Sequence, residues 1–317
     1  MTRIGTSDLD IFPLSLGGNV FGWTADRDTS FAILDAFVAG GGDFIDTADS
    51  YSAWVPGNTG GDSERIIGEW LASRRPAGVV VATKVSQHPD FKGLAASNVR
   101  AAAEASLTRL GVEAIDLYYA HFDDESVPLA ETVAAFGALV KDGLVRNIAV
   151  SNYSAERIRE WISHAKEQGV ALPVAIQPHY NLVHRGDVEE HIVPLAQESH
   201  LSLVPYFALA KGFLTGKYRS TDASSHTSPR AQAASAYATD QGLEIIDTLE
   251  EIGRAHDVSI AATALAWLRS QPTVAAPIAS ASRVEQVADL LDGGRVELTA
   301  DELAQLTRVS EWTPAGV

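Results

Sequence analysis

Eight strand-like runs, each followed by an amphipathic helical pattern, predict an α/β protein folded as a single (β/α)8 TIM barrel, with an N-terminal hairpin and extra helices near the C-terminus. A second observation is the absence of the G-x-G-x-x-G turn of an open doubly wound sheet. Neither Gly18-Asn19-Val20-Phe21-Gly22 nor Gly40-Gly41-Gly42 has that spacing. A third is that no Pro-, Ser- or Gly-rich stretch divides the 317 residues, so one domain over 1–317 is expected.

A hairpin over residues 2–11 opens the chain, and Phe12-Pro13-Leu14-Ser15-Leu16 supplies the first barrel strand. A helix follows from near Asp28, with Phe31, Leu34, Phe37 and Val38 on one face. Asp43-Phe44-Ile45-Asp46 is the second strand; its helix starts near Asp62-Ser63 and buries Ile66, Ile67, Trp70 and Leu71. Val79-Val80-Val81-Ala82 is the third strand, with a helix over 95–110, and Ile115-Asp116-Leu117-Tyr118-Tyr119 the fourth. Pro128 suits the first turn of the next helix, whose Leu129, Val133, Phe136 and Val140 point inward, and Gly143 suits its end. Strand five covers 146–150 and is followed by a helix capped by Ser154, with Ile158, Trp161 and Ile162 inward.

Strands six, seven and eight are expected at 174–176, 202–204 and 274–278. Residues 219–239, rich in Ser, Ala and Thr, read as a mobile loop, and helical patterns resume at 243–256 and 259–270. Trp70, Trp161 and Trp267 sit at helical spacing and belong to the core, whereas His88, His179, His184 and His191 take surface or capping positions by default.

The 24 Lys and Arg against 41 Asp and Glu give a net charge of −17, which repels phosphate backbones and anionic lipid. Nucleic-acid and membrane-surface roles are therefore disfavoured. With no cysteine, disulfides, thiolate nucleophiles and Cys-ligated metals are excluded. Met1-Thr2-Arg3-Ile4-Gly5 lacks the apolar run of a signal peptide, and no apolar stretch approaches about 18 residues, so a cytoplasmic protein is expected. Nothing in the sequence specifies an oligomeric state.

In such barrels chemistry sits at the C-terminal strand ends. The residues ending the runs are Asp46, Lys84, His121, Ser151-Asn152, Gln177, Tyr206 and Ser280, all polar. Asp46 is followed five residues later by Tyr51, while Lys84 and His121 end the next two strands. This combination predicts a proton-delivery site. A free phenol has a pKa of about 10; an adjacent ammonium favours the phenolate and lowers that value, and a carboxylate holds the ammonium in place.

The motifs Asp46-Thr47-Ala48-Asp49-Ser50-Tyr51, Ala82-Thr83-Lys84, Leu117-Tyr118-Tyr119-Ala120-His121, Val150-Ser151-Asn152-Tyr153, Gln177-Pro178-His179-Tyr180-Asn181-Leu182 and Gly212-Phe213-Leu214-Thr215-Gly216-Lys217-Tyr218 resemble those of the aldo-keto reductases. The stretch from Tyr51 to Pro56, and that from Pro277 to Ser282, look similar to bacterial members related to potassium-channel β-subunits. The resemblance implies reduction of small aldehydes or ketones to alcohols with NADP(H), NAD(H) being the alternative, and without a metal.

By that resemblance Tyr51 is the proton donor, Lys84 paired with Asp46 tunes it, and His121 orients the carbonyl. Ser151, Asn152 and Gln177 hold the nicotinamide carboxamide, and Tyr206 stacks on the ring; Phe207 stands where the family has a Ser. The loop with Leu209, Lys211 and Gly212 is the pyrophosphate site, and Ser280, Ser282, Arg283 and Gln286 are candidates for the 2′-phosphate end.

Two local patterns bear on this assignment. Ser282-Arg283-Val284-Glu285 has the spacing of a capping box, and a capped helix N-terminus is also an anion site. Gly212 to Lys217 lacks the spacing and hydroxyl of an NTPase phosphate loop. Trp23 and Trp54, in loops after the first two strands, are expected to wall a pocket for aromatic or apolar aldehydes. A nicotinamide-binding regulatory or redox-sensing subunit of low activity is the competing reading. A metal-dependent barrel hydrolase is a third, disfavoured because strands five to eight end in Ser, Asn, Gln, Tyr and Ser rather than in metal ligands.

Overall fold

A computed structural model describes residues 1–219 and 234–312. Twelve strands are formed among them. β1 (Thr2–Arg3) and β2 (Asp10–Ile11) make the antiparallel N-terminal hairpin. β3 (Ser15–Gly17), β4 (Phe44–Asp46) and β5 (Val80–Val85) follow, then a second small hairpin of β6 (Gln87–His88) and β7 (Phe91–Lys92). β8 (Ile115–Ala120), β9 (Val145–Ser151), β10 (Pro173–Gln177), β11 (Ser202–Leu203) and β12 (Ile278–Ala279) complete the set.

Eight of these strands pair in parallel in the order β11-β10-β9-β8-β5-β4-β3-β12. The sheet closes where Leu203 bridges Val274: the Leu203 amide donates to the Thr273 carbonyl at 2.8 Å, and its carbonyl accepts from Ala275 at 2.9 Å. The last strand, expected as one run over 274–278, is thus split into a bridge at Val274 and β12. Pro277 lies between them and has no N–H for a ladder. Pro13 similarly delays the first strand, which begins at Ser15 rather than Phe12.

The helices between strands are α1 (Arg27–Ala39), α2 (Asp62–Arg74), α3 (Ala96–Leu110), α4 (Leu129–Lys141), α5 (Ala155–Gln168) and α6 (Val193–Ser199). After them come α7 (Asp240–Ala255), α8 (Ile260–Arg269), α9 (Gln286–Gly293) and α10 (Ala300–Val309). Ser154 caps α5 through the Arg157 amide, as expected, and Thr299 with Glu302 forms a reciprocal capping box on α10. Pro128 lies just before α4 rather than in its first turn, and Gly143, with φ of 75°, follows its end. The loop expected at 219–239 lies, from 220 to 233, outside the described residues. Among the described residues no helix is long and apolar enough to cross a membrane.

Two apolar layers result. Phe44, Ala82, Leu117, Ala149, Ala175 and Val204 fill the barrel interior, and Ile4, Leu9 and Ile11 of the hairpin join that cluster. Their neighbours Ile45, Val81, Tyr118, Ile148, Val150 and Ile176 face outward against the helices with Trp70, Trp161 and Trp267. This period-two alternation positions the site. Two residues beyond Phe44, Ala82, Leu117, Ala149 and Ala175 come Asp46, Lys84, Tyr119, Ser151 and Gln177, all on the inward register at the C-terminal rim.

Candidate active site

Lys84 and Asp46 lie on adjacent strands and are 0% and 1% exposed. The Lys84 ammonium spends all three of its protons: on Asp46 Oδ2 at 2.6 Å, on the Thr47 carbonyl at 2.7 Å and on the Tyr51 hydroxyl oxygen at 3.0 Å. The other Asp46 oxygen accepts from Gln177 Nε2 at 2.9 Å, across the barrel mouth. Burial works against the Lys84 charge, but Asp46 and Tyr51 outweigh it and hold the ammonium above its usual range.

Tyr51 reaches this pair from the loop after β4. That loop is tied down by the Thr47 amide on the Ala82 carbonyl at 2.8 Å and the Asp49 amide on the Lys84 carbonyl at 3.2 Å. Ser52, in the left-handed region at φ 67°, anchors its far side through a 2.8 Å bond to the Phe21 carbonyl. Because Lys84 is the donor to Tyr51, the phenolic proton is left for another acceptor. The expected lowering of the phenol by Lys84 does not prevail: burial is the larger effect and pushes Tyr51 above its ordinary value, with Asp46 adding to the rise.

His121 follows β8, its ring centroid 6.1 Å from that of Tyr51. Its Nδ1 is buried without a hydrogen-bond partner among the described residues, and burial, reinforced by Lys84, holds the imidazole well below its usual range. Trp54 stands edge-on to Tyr51 at 6.3 Å, and Trp23 edge-on to Trp54 at 5.6 Å. Trp54 is 52% exposed, so the structure brings both tryptophans to the mouth beside Tyr51.

The remaining rim residues form a second group. Ser151 Oγ donates to the Gln177 carbonyl at 2.9 Å, and Asn152 Nδ2 to the His121 carbonyl at 2.9 Å. Asn152 Oδ1 accepts from the Tyr206 hydroxyl at 2.8 Å. Phe207 is 40% exposed, in the left-handed region at φ 52°, with the Lys211 ammonium 5.3 Å from its ring. Beyond it, Ala210, Lys211 and Gly212 have φ of 47°, 58° and 100°. The amides of Phe207, Ala208 and Leu209 donate to no acceptor among the described residues.

Ser280 and Ser282 lie near the first loop rather than near this turn. Ser280 donates to Asn19 at 2.6 Å, and the Ser282 hydroxyl is 3.0 Å from that of Thr24. The expected capping box at Ser282 is not formed. Gln286, not Glu285, reaches back, and its Oε1 accepts from the amides of Ser282 at 2.9 Å and Arg283 at 3.1 Å. With the amide caps supplied by Gln286, the serine hydroxyl is released to Thr24, and α9 starts three residues later than a Ser282 cap requires. Arg283 is exposed and makes no ion pair among the described residues.

Several residues at or behind the site were not singled out from the sequence. Glu64 on α2 is fully buried, accepting from Thr83 Oγ1 at 2.5 Å and Arg109 Nε at 2.6 Å. Its spacing to Ile67 and Gly68 places it on the core face, a signal obscured by its position among the acidic first-turn residues. Asp49 is also fully buried, with neither carboxylate oxygen hydrogen-bonded among the described residues; burial first, and then Glu64, push it well above the carboxylate range. His88 is buried rather than at the surface, its Nδ1 accepting from the Asp90 amide at 3.0 Å, and His179 is half-buried against Tyr206.

The barrel thus carries a buried carboxylate–ammonium–phenol cluster at its C-terminal rim. The model of the Aldo/keto reductase family matches residues 13–311, and the chain belongs to that family. It is 31% identical to a protein named uncharacterized oxidoreductase YrpG of Bacillus subtilis (strain 168), over 97% of this chain and 95% of that one. It is also 31% identical to a probable voltage-gated potassium channel subunit beta of Oryza sativa subsp. japonica, over 90% and 88% of the two chains. With the norsolorinic acid reductase stcV of Emericella nidulans the identity is 30%, over 93% and 77%.

Proposed function

We propose that the chain, acting as one domain over residues 1–317, reduces aldehydes and ketones to alcohols, with Tyr51 as the proton donor. The observation that carries this reading is the three-way bond set of Lys84. The ammonium is satisfied by Asp46, Thr47 and Tyr51, and because Lys84 donates to the phenolic oxygen, the phenol keeps its own proton to give. NADPH, when held by the rim residues, would supply the hydride for the carbonyl carbon. Tyr51 gives its proton to the carbonyl oxygen, Lys84 stabilises the phenolate that results, and the phenol then regains a proton from solvent. Asp46 and Gln177 hold Lys84 in place. His121, neutral at pH 7 and beside Tyr51, orients the carbonyl oxygen.

The residues fit a dinucleotide. Tyr206 offers a flat ring at the rim, and Ser151, Asn152 and Gln177 are the amide- and hydroxyl-bearing groups beside it. The amides of 207–209, unpartnered among the described residues and followed by the left-handed Ala210, Lys211 and Gly212, suit a pyrophosphate. Ser282, Arg283 and, through its backbone caps, Gln286 shape the turn for a 2′-phosphate, and Ser280 lies next to them. Trp23 and Trp54 favour aromatic or apolar carbonyl substrates over sugars.

The test is consumption of NADPH and of NADH against a panel of aromatic, aliphatic and sugar aldehydes and ketones. Faster turnover with NADPH and with aromatic aldehydes is expected; no turnover with any member contradicts the assignment. The second reading, a nicotinamide-binding regulatory subunit of low activity, draws on the similarity to the rice channel subunit. It is favoured instead if NADPH stays bound but is not oxidised.

A further inference from the structure

Behind Tyr206 stands a column of rings that the proposed chemistry does not use. Backbone pairing creates it. Residue 179 bridges residue 206 in parallel, with the Tyr206 amide donating to the Pro178 carbonyl at 2.9 Å, and this sets the two side chains next to each other. The chain then folds back at once. Asn181 and His184 exchange backbone bonds of 3.2 and 3.0 Å, and Asn181 Oδ1 accepts from the Val183 amide at 2.9 Å.

This turn lays the His184 ring flat on that of His179, with centroids 3.8 Å apart and planes within 10°. On its other side His179 lies 5.4 Å from Tyr206, 24° from parallel, and Phe207 meets His179 edge-on at 5.2 Å. Fully buried Asn181 ties the assembly to the cofactor loop by donating to the Phe207 carbonyl at 2.9 Å. Burial, with His184 and Lys211 adding to it, lowers His179 to about 4, so at neutral pH the two imidazoles stack without charge repulsion.

Tyr206 is therefore fixed at its hydroxyl by Asn152 and packed against His179 and, edge-on at 5.0 Å, Phe207, while its side chain stays partly exposed at the rim. We infer that His179 is a positioning residue for the cofactor: backed by His184, its ring sets the tilt of Tyr206, and through it the seating of the nicotinamide. The inference rests on the dinucleotide reading of the site. It predicts that the ring of His179 matters and that the long 3.4 Å contact of its Nε2 with Asn181 Nδ2 does not, and that the effect is confined to the nicotinamide end.

Equilibrium dissociation constants are measured by protein fluorescence for the tighter binder of NADPH and NADH, and for the matching ADP-ribose fragment that lacks nicotinamide. The proteins are wild type, His179→Phe, which keeps a ring, and His179→Asn, which keeps a polar group. An aromatic pair contributes enough to bring the expected loss in His179→Asn to about 3- to 10-fold for the whole cofactor. His179→Phe stays within about twofold of wild type on the same scale, and the fragment binds equally to all three. Unchanged cofactor affinity in His179→Asn, or an equal loss for the fragment, overturns the role of His179 while leaving the site assignment intact. Wild type that binds neither NADPH nor NADH overturns the site assignment itself.

Discussion

At the residue scale, the central interaction is a buried ion pair whose two members depend on each other. Asp46 and Lys84 are each removed from water, and the cost is met by their mutual attraction and by bonds from Gln177 and to Thr47 and Tyr51. Lys84→Met leaves Asp46 buried and uncompensated, and a loss of about 3–5 kcal/mol in urea unfolding is expected, together with loss of carbonyl reduction. Stability equal to wild type contradicts this account of the pair. Asp49 presents the opposite case, a buried carboxyl with no hydrogen-bond partner for either oxygen among the described residues. Its pKa is raised in the folded chain above the reference 3.8, so it favours folding when both states are protonated, and that contribution is lost as pH rises from about 4 toward the folded value. Asp49→Asn removes the penalty. Its melting temperature should match wild type near pH 4 and exceed it increasingly toward pH 8; a constant offset across that range counts against the idea.

At the element scale, the strands place the chemistry and the loops adjust it. The polar residue that ends each apolar strand run is visible in the sequence, so Asp46, Lys84, Ser151 and Gln177 were legible together at one rim. Their partners were less so. Gln177 was expected on a ligand carboxamide and its nitrogen lies on Asp46, because a contact between the second and sixth strands across the mouth depends on barrel closure and has no sequence spacing. The Ser282 pattern misled for a related reason: Ser and Glu had the right spacing, yet Gln286 competes for the same amides. Glu64 was hidden among first-turn acids that normally serve a helix dipole. The turn after β11 makes a test at this scale. Gly212 has φ of 100°, and a Cβ there meets nothing nearer than Tyr218 Cε2 at 3.4 Å, so the cost of substitution is backbone strain rather than a clash. Gly212→Ala is expected to lower stability by about 1–2 kcal/mol and to weaken dinucleotide binding, as read by thermal melts and fluorescence titration. Unaltered affinity contradicts the assignment of that turn to pyrophosphate.

At the scale of the whole molecule, closure of the sheet is what converts eight separate strand ends into one site. Prolines at 13 and 277 shorten the strands at the seam, but the bridge from Leu203 to Val274 and the pairing of β12 with β3 still join the edges. Closure brings Tyr51 from one loop to Lys84 on the next strand, with His121 beyond it, and sets the Trp23–Trp54 pair over the same opening. The fold holds these groups together, so the most direct test is of the group proposed to give up the proton. Tyr51→Phe removes only the hydroxyl. NADPH-dependent reduction of an aromatic aldehyde, measured with the NADPH dissociation constant on the same preparations, should fall by about 10²- to 10⁴-fold in kcat/KM while binding stays within about twofold. A variant that reduces the aldehyde at the wild-type rate contradicts the role of Tyr51 as proton donor.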